Sequence, residues 1–180
     1  MKIDTRVKLV ELMKHLNLPL VAVEVGVAEG IWSTELFSLG LEKLYLIDIW
    51  ENEPSIPGCA SFEQAWHDKN YKEVKDRFKD KEGVVMLRGL SFDMAEKIKD
   101  ESCGLVYIDA DHSYEGVKSD IESFFPKLVK GGIMAFHDAK NPCYGVGEAV
   151  KEFADKNGLT VHELIEDGNQ DNIGAYIIKK

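Results

Sequence analysis

Acidic, glycine and histidine residues recur in this chain where apolar runs end. Glu24, Gly26, Glu29 and Gly30 close VAVEVGVAEG, and Asp48 closes KLYLID just ahead of Ile49 and Trp50. Arg88, Gly89 and Ser91 follow GVVML, while Asp109, Asp111 and His112 follow GLVYI. His137, Asp138 and Asn141 follow IMAF. If each run is a strand of one parallel sheet, these residues share its carboxyl edge, where open α/β sheets bind ligands. Glycines between strand and helix let a ligand approach the backbone and leave N–H groups facing it. Asp48 comes 22 residues after Gly26, where an acid can accept both hydroxyls of a ribose. The plainer reading, a strand-end Asp that caps the next turn, stands beside it. Ile49 and Trp50 offer apolar faces to a purine, although a Trp there can equally serve packing alone.

The loop also restricts the ligand. Ala28 occupies the place of the second glycine in a dinucleotide fingerprint, and Glu29 adds negative charge, so a pyrophosphate is poorly served. Glu24 at the loop entrance suits a cationic group. A nucleoside with a positive or zwitterionic tail is the ligand that fits.

The elements that must position these residues alternate. Thr5 to Leu16 has apolar residues at helical spacing, with Asp4 or Thr5 as N-cap. Strand Leu20–Val25 leads to helix Ile31–Leu39, closed by Gly40, and strand Lys43–Ile49 leads to an excursion, Glu51–Cys59, rich in turn residues. Ser61–Lys79 is a polar helix with Phe62, Ala65, Trp66, Tyr71, Val74 and Phe78 as inward positions. Strand Gly83–Leu87, short helix Phe92–Ile98 and strand Gly104–Ile108 follow. Helix Tyr114–Val129 has Ser113 as N-cap, and Pro126 should kink or shorten it. Gly131-Gly132 introduces a fifth strand, helix Gly145–Phe153 follows, and strands Leu159–Leu164 and Ile173–Ile178 pair as a hairpin. The expected fold is α/β: a Rossmann-like, seven-stranded, mostly parallel sheet with an antiparallel C-terminal hairpin and helices on both faces. With 180 residues and no repeat or linker, residues 1–180 read as one domain.

Composition narrows the partners. A net charge of −10 argues against a nucleic-acid backbone. No apolar run reaches the length of a membrane span, and the charged start MKIDTRVKLVELMKHL is unlike a signal peptide. Cys59, Cys103 and Cys143 are odd in number and widely spaced, which favours reduced thiols and a cytoplasmic setting over disulfides or a zinc knuckle.

The segments E-V-G-x-x-x-G, L-I-D, Y-I-D-A-D-H-S-Y-E-G-V and K-L-V-K-G-G-I-M-A-F-H-D together resemble class I S-adenosylmethionine-dependent methyltransferases. The likeness is to the small-molecule O-methyltransferase branch that shares the IDADHSYEGV segment, and it runs from about Leu20 to the hairpin. The resemblance implies S-adenosylmethionine as cofactor, with Gly26 and Gly30 at its methionine end and Glu24 and Ser33 flanking it. Val27 and Glu29 complete that loop, Val27 standing where a further glycine is usual. Asp48 would hold the ribose, with Ile49 beside the adenine and Ser91 at the adenine edge; Asp109 would either belong to a cation site or hydrogen-bond the cofactor's amino group, His137 and Asp138 then only capping the following turn. Related catechol-type enzymes bind a divalent cation through an Asp after the fourth strand and an Asp-Asn pair after the fifth. The matching positions here are Asp109, His137 and Asp138, a set for magnesium or manganese in which the imidazole shifts preference toward Mn²⁺, Fe²⁺ or Zn²⁺. His112 is the candidate general base toward an acceptor hydroxyl, with a core or capping histidine as the plain alternative. His15, His67 and His162 are placed on surfaces.

The function expected is methyl transfer to a hydroxyl of a small-molecule acceptor, metal-assisted if the cation site is real. Only Glu51–Lys79 and Ala139–Tyr144 are free to cover the acceptor, which leaves room for a partner subunit of a homo-oligomer to complete the pocket. Two other readings share the fold: an NAD-dependent oxidoreductase, disfavoured by Ala28 and the hairpin, and a non-catalytic cofactor-binding protein.

Overall fold

The computed structural model describes residues 5–56, 61–166 and 169–180. Seven strands form one sheet in the order β3-β2-β1-β4-β5-β7-β6. They are β1 (Val21–Val25), β2 (Lys43–Asp48), β3 (Val84–Arg88), β4 (Cys103–Ile108), β5 (Leu128–Phe136), β6 (His162–Glu166) and β7 (Asn169–Ile178). The first five pair in parallel, and β7 runs antiparallel to both β5 and β6. This is the fold expected from the sequence.

Strands β1 and β4 are apolar almost throughout because both of their faces are covered. Ala22, Leu44, Leu46, Leu105 and Tyr107 point to one face, where they pack with α1 (Lys8–His15), α2 (Ile31–Ser38) and α3 (Gln64–Phe78). Val23, Val25, Ile47, Val106 and Ile108 point to the other, against α4 (Ser91–Ala95), α5 (Tyr114–Phe124) and α6 (Val146–Asn157). The period of two along each strand thus supplies two cores from one sheet. No helix among the described residues is long and apolar enough to cross a membrane.

Several local expectations change. Helix α1 begins only at Lys8, with Val7 as N-cap, and Thr5 forms an isolated bridge to Ile165 instead of capping. Asp4, the other expected cap, lies outside the described residues, as do Cys59 and part of the excursion. Pro126 shortens α5, which ends at Phe124 and passes into a 3₁₀ turn over Phe125–Lys127. Strand β5 starts at Leu128 and runs through Gly131-Gly132, because a register shift opposite Cys103/Leu105 absorbs the extra residues. The inward face of α3 consists of His67, Asn70, Val74 and Phe78, while Phe62 precedes the helix and is exposed. His67 is therefore buried, contrary to its expected surface place.

Candidate functional site

The glycine loop is tied down by its neighbours on the sheet edge. Gly26 N–H donates to Ile47 O at 2.8 Å, and Asp109 N–H donates to Val25 O at 2.8 Å. Gly26 has φ +88°, and a Cβ there would stand 2.0 Å from the carbonyl oxygen of Asp109, so the position requires glycine. Asp48 reaches across from β2. Its Oδ2 accepts from Val27 N at 2.9 Å and Ala28 N at 2.8 Å, while Oδ1 accepts from Trp50 N at 2.7 Å. The carboxylate thus fixes the loop and caps the following turn at once, so the capping reading holds. On the far side Arg77 of α3 donates to the carbonyls of Glu29 and Gly30 at 3.0 and 2.8 Å.

Beside this loop is a cavity of about 440 Å³. Gly26, Asp48, Ile49, Ser91, Asp109 and His112, all expected at the site, lie in its wall. Five others expected at the cofactor do not line it. Val27 is buried in the core with Trp32, Glu29 is exposed, and Gly30 packs under Val74. Glu24 and Ser33 are buried, Glu24 on the side of β1 that Ala22 presents to α1 and α2. Trp50 is fully buried as well; its indole N–H donates to Ala28 O at 3.0 Å and its ring packs on Tyr71, so it braces the loop instead of facing a purine.

Burial raises the Glu24 carboxyl to about 8, helped by the negative charges of Asp109 and Asp48 and opposed by the Ser33 hydroxyl and the Arg6 guanidinium. Neither Ser33 Oγ nor Glu24 Oε2 closes a hydrogen bond of ordinary geometry.

Where Asp109 and His112 line the wall, His137 and Asp138 join them. His112 Nε2 is 3.3 Å from Asp109 Oδ1 and 3.7 Å from Asp138 Oδ2. His137 Nδ1 is 3.4 Å from the same Asp109 oxygen and 3.2 Å from the same Asp138 oxygen. Topology explains the meeting: β4 and β5 are adjacent, His137 N–H donates to Ile108 O at 3.0 Å, and Asp138 turns back with φ 53°. His112 Nε2 is buried and makes no hydrogen bond, and the Tyr144 ring lies over the imidazole at 4.6 Å between centroids. Asp111, next in sequence, is not of this group: its carboxylate accepts from Ser113 N and Oγ, both at 2.9 Å, and Ser113 caps α5 as expected.

The donor set fits a divalent transition metal. Bonds of about 2.1 Å from nitrogen and carboxylate oxygen to one ion put neighbouring ligand atoms roughly 3.0 to 3.5 Å apart. The ligand atoms of Asp109, His112 and His137 all lie within 4.8 Å of one another. The sequence grouped Asp109, His137 and Asp138; in the structure His112 stands with Asp109 and His137, and Asp138 lies beside the two histidines.

The sequence reading missed three features of the cavity wall. Phe62 and Trp66 stack at 4.1 Å between centroids and form an aromatic flank with His67 behind them. Asp120 lines the opposite side from within α5. Its signal was present, because Asp120 falls on the stripe of Val117, Ile121 and Phe124, where a carboxylate is out of place.

With this geometry, comparison with known proteins identifies the class. Residues 23–139 match the family described as Methyltransferase domain, more than half of the chain. The chain belongs to this family, and it has the class I, S-adenosylmethionine-dependent methyltransferase fold. No match is found among curated protein sequences. Among solved structures, the O-methyltransferase NovP is similar at 20% identity and TM-score 0.69, covering 97% of this chain and 77% of that one. CalS11, a calicheamicin methyltransferase, is similar at 17% identity and TM-score 0.70, covering 96% and 77%. A ribosomal protein L11 methylase from Lactobacillus delbrueckii subsp. bulgaricus is similar at 13% identity and TM-score 0.63, covering 97% and 77%. At these identities the likeness speaks for the fold.

Proposed function

We propose that this chain, acting as one domain, transfers the methyl group of S-adenosylmethionine to a hydroxyl oxygen of a small molecule, beside a divalent cation held by Asp109, His112, His137 and Asp138. The observation that carries the reading is the convergence of two carboxylates and two imidazoles beside the cavity, in which Asp109 and His112 line the wall that Gly26 and Asp48 also line. Two imidazoles favour manganese, iron or zinc over magnesium, which prefers oxygen ligands. Such a cation, when bound, lowers the pKa of a hydroxyl and orients its oxygen.

The chain's own residues do the remaining work. Asp48, already fixed by three backbone N–H groups, offers its remaining acceptor capacity to the ribose hydroxyls. Gly26, without a Cβ, lets the loop close against the Asp109 carbonyl and so holds the loop beside Asp109. Phe62 and Trp66 flank the cavity and keep water from it. His112 is assigned as a ligand in place of a free general base, since its Nε2 faces two carboxylates from a buried position. A hydroxyl acceptor is supported by the O-methyltransferases among the structural neighbours. A second copy of the chain is proposed to complete the acceptor side, because the described segments give only a partial cover.

Calorimetric titration of Mn²⁺ into the metal-stripped chain tests the cation site. One ion per chain is expected, with affinity reduced at least about tenfold in His137→Ala and in Asp138→Asn. Unchanged affinity in both variants would remove the cation from the account and return His112 to the part of proton acceptor.

A further inference from the structure

Asp120 is a buried carboxylate that forms no ion pair with a cation among the described residues. It is only 2% exposed, and burial lifts its carboxyl to about 7. Its hydrogen-bond partner is Ser91, whose Oγ donates to Oδ1 from the first turn of α4. The charged group that acts on it is Asp111, of the same sign. A carboxylate has about four acceptor sites and Ser91 takes one, so a costly buried group retains unused capacity at a cavity wall.

Its place along the cavity defines what would use that capacity. The sheet order puts β2 between β3 and β1, with β4 beyond β1. A nucleoside whose ribose sits at Asp48 and whose tail runs toward Gly26 and Asp109 must extend its base the other way, toward β3. The residues there are Ile49 after β2 and Leu90, Ser91 and Phe92 after β3, an apolar slot with one polar edge. That edge is Ser91 with Asp120. A fixed acceptor at the rim of a planar apolar slot matches an amino group in the plane of a purine.

We propose that Asp120, held by Ser91, accepts a hydrogen bond from the 6-amino group of the cofactor's adenine and so selects adenine over a 6-oxo purine. The assignment rests on the reading of the cavity as the S-adenosylmethionine site. An ionised carboxylate attracts the amino group and repels a 6-oxo oxygen, and mismatched polar groups in a dry site are strongly disfavoured.

The test is equilibrium titration at pH 8 with S-adenosylhomocysteine and with its 6-oxo analogue, S-inosylhomocysteine. The unmodified chain is expected to bind the adenosyl ligand at least about tenfold more tightly. Asp120→Asn, whose amide can donate to a 6-oxo group, is expected to bind the two within about threefold of each other. Equal binding by the unmodified chain, or an undiminished preference in Asp120→Asn, overturns the assignment. Binding of neither ligand by the unmodified chain overturns the cofactor reading and this assignment with it. Should Asp120→Asn not fold, Ser91→Ala decides: freeing the carboxylate from its anchor should narrow the preference at least about threefold, and an unchanged preference overturns the proposal.

Discussion

Replacing Glu24 by Gln should change how the stability of this protein depends on pH, in a direction the structure fixes. The carboxyl has an ordinary value of 4.5 and one of about 8 when folded. Between those values the folded chain holds a proton that the unfolded chain releases, so this group makes stability fall as pH rises, and the loss is complete above pH 8. At 1.36 kcal/mol for each tenfold change in proton affinity, the whole effect is about 5 kcal/mol. That is an upper bound, because water entry and local relaxation soften the burial of a charge. Gln keeps the shape of the side chain and cannot ionise. We therefore expect Glu24→Gln to match the parent within about 1 kcal/mol near pH 4.5 and to exceed it by about 2 to 4 kcal/mol at pH 9. Urea unfolding at intervals from pH 5 to pH 9 measures the difference directly. A difference that stays flat across this range would refute the reasoning, as would a variant that loses ground relative to the parent on going to high pH.

Two further substitutions probe the loop. Gly26→Ala meets a φ of +88° and the carbonyl of Asp109 at 2.0 Å; strain and overpacking together should cost about 3 kcal/mol or more in chemical unfolding, and affinity for S-adenosylhomocysteine should be lost. Asp48→Ala leaves the N–H groups of Val27, Ala28 and Trp50 without their acceptor, so a stability loss of about 2 kcal/mol should accompany an affinity drop beyond about tenfold. Loss of stability with undiminished affinity would confine Asp48 to loop support.

The sheet was legible because its strands are short apolar runs separated by turn chemistry, and the terminal hairpin because EDGNQDN interrupts two such runs. Its details depended on partners far away in sequence. Nothing local in KGGIM announces a strand that crosses two glycines; the register shift against β4 makes that possible. At the site, Asp48, Asp109 and His112 were visible as polar residues at strand ends, and their meeting follows from strand order. The burial of Glu24 was not legible, because strand alternation decides which face a side chain takes and the loop that follows conceals the last inward position. Trp50 looked like a platform for a base, yet the hydrogen bond from its indole to Ala28 O turns the ring into the core. His112 joined the cation cluster through Asp109 on its own side and through His137 and Asp138, which lie across β4 and β5.

In the proposed reaction the methyl donor and a divalent cation lie side by side at the carboxyl edge of the sheet. Diffraction from crystals grown with S-adenosylhomocysteine and Mn²⁺, recorded at a wavelength where manganese scatters anomalously, tests it most directly. The account predicts one anomalous peak among Asp109, His112, His137 and Asp138, with the ribose at Asp48 and the sulfur between it and the ion. A nucleoside bound elsewhere, or a filled cavity with no peak at those four residues, would contradict it.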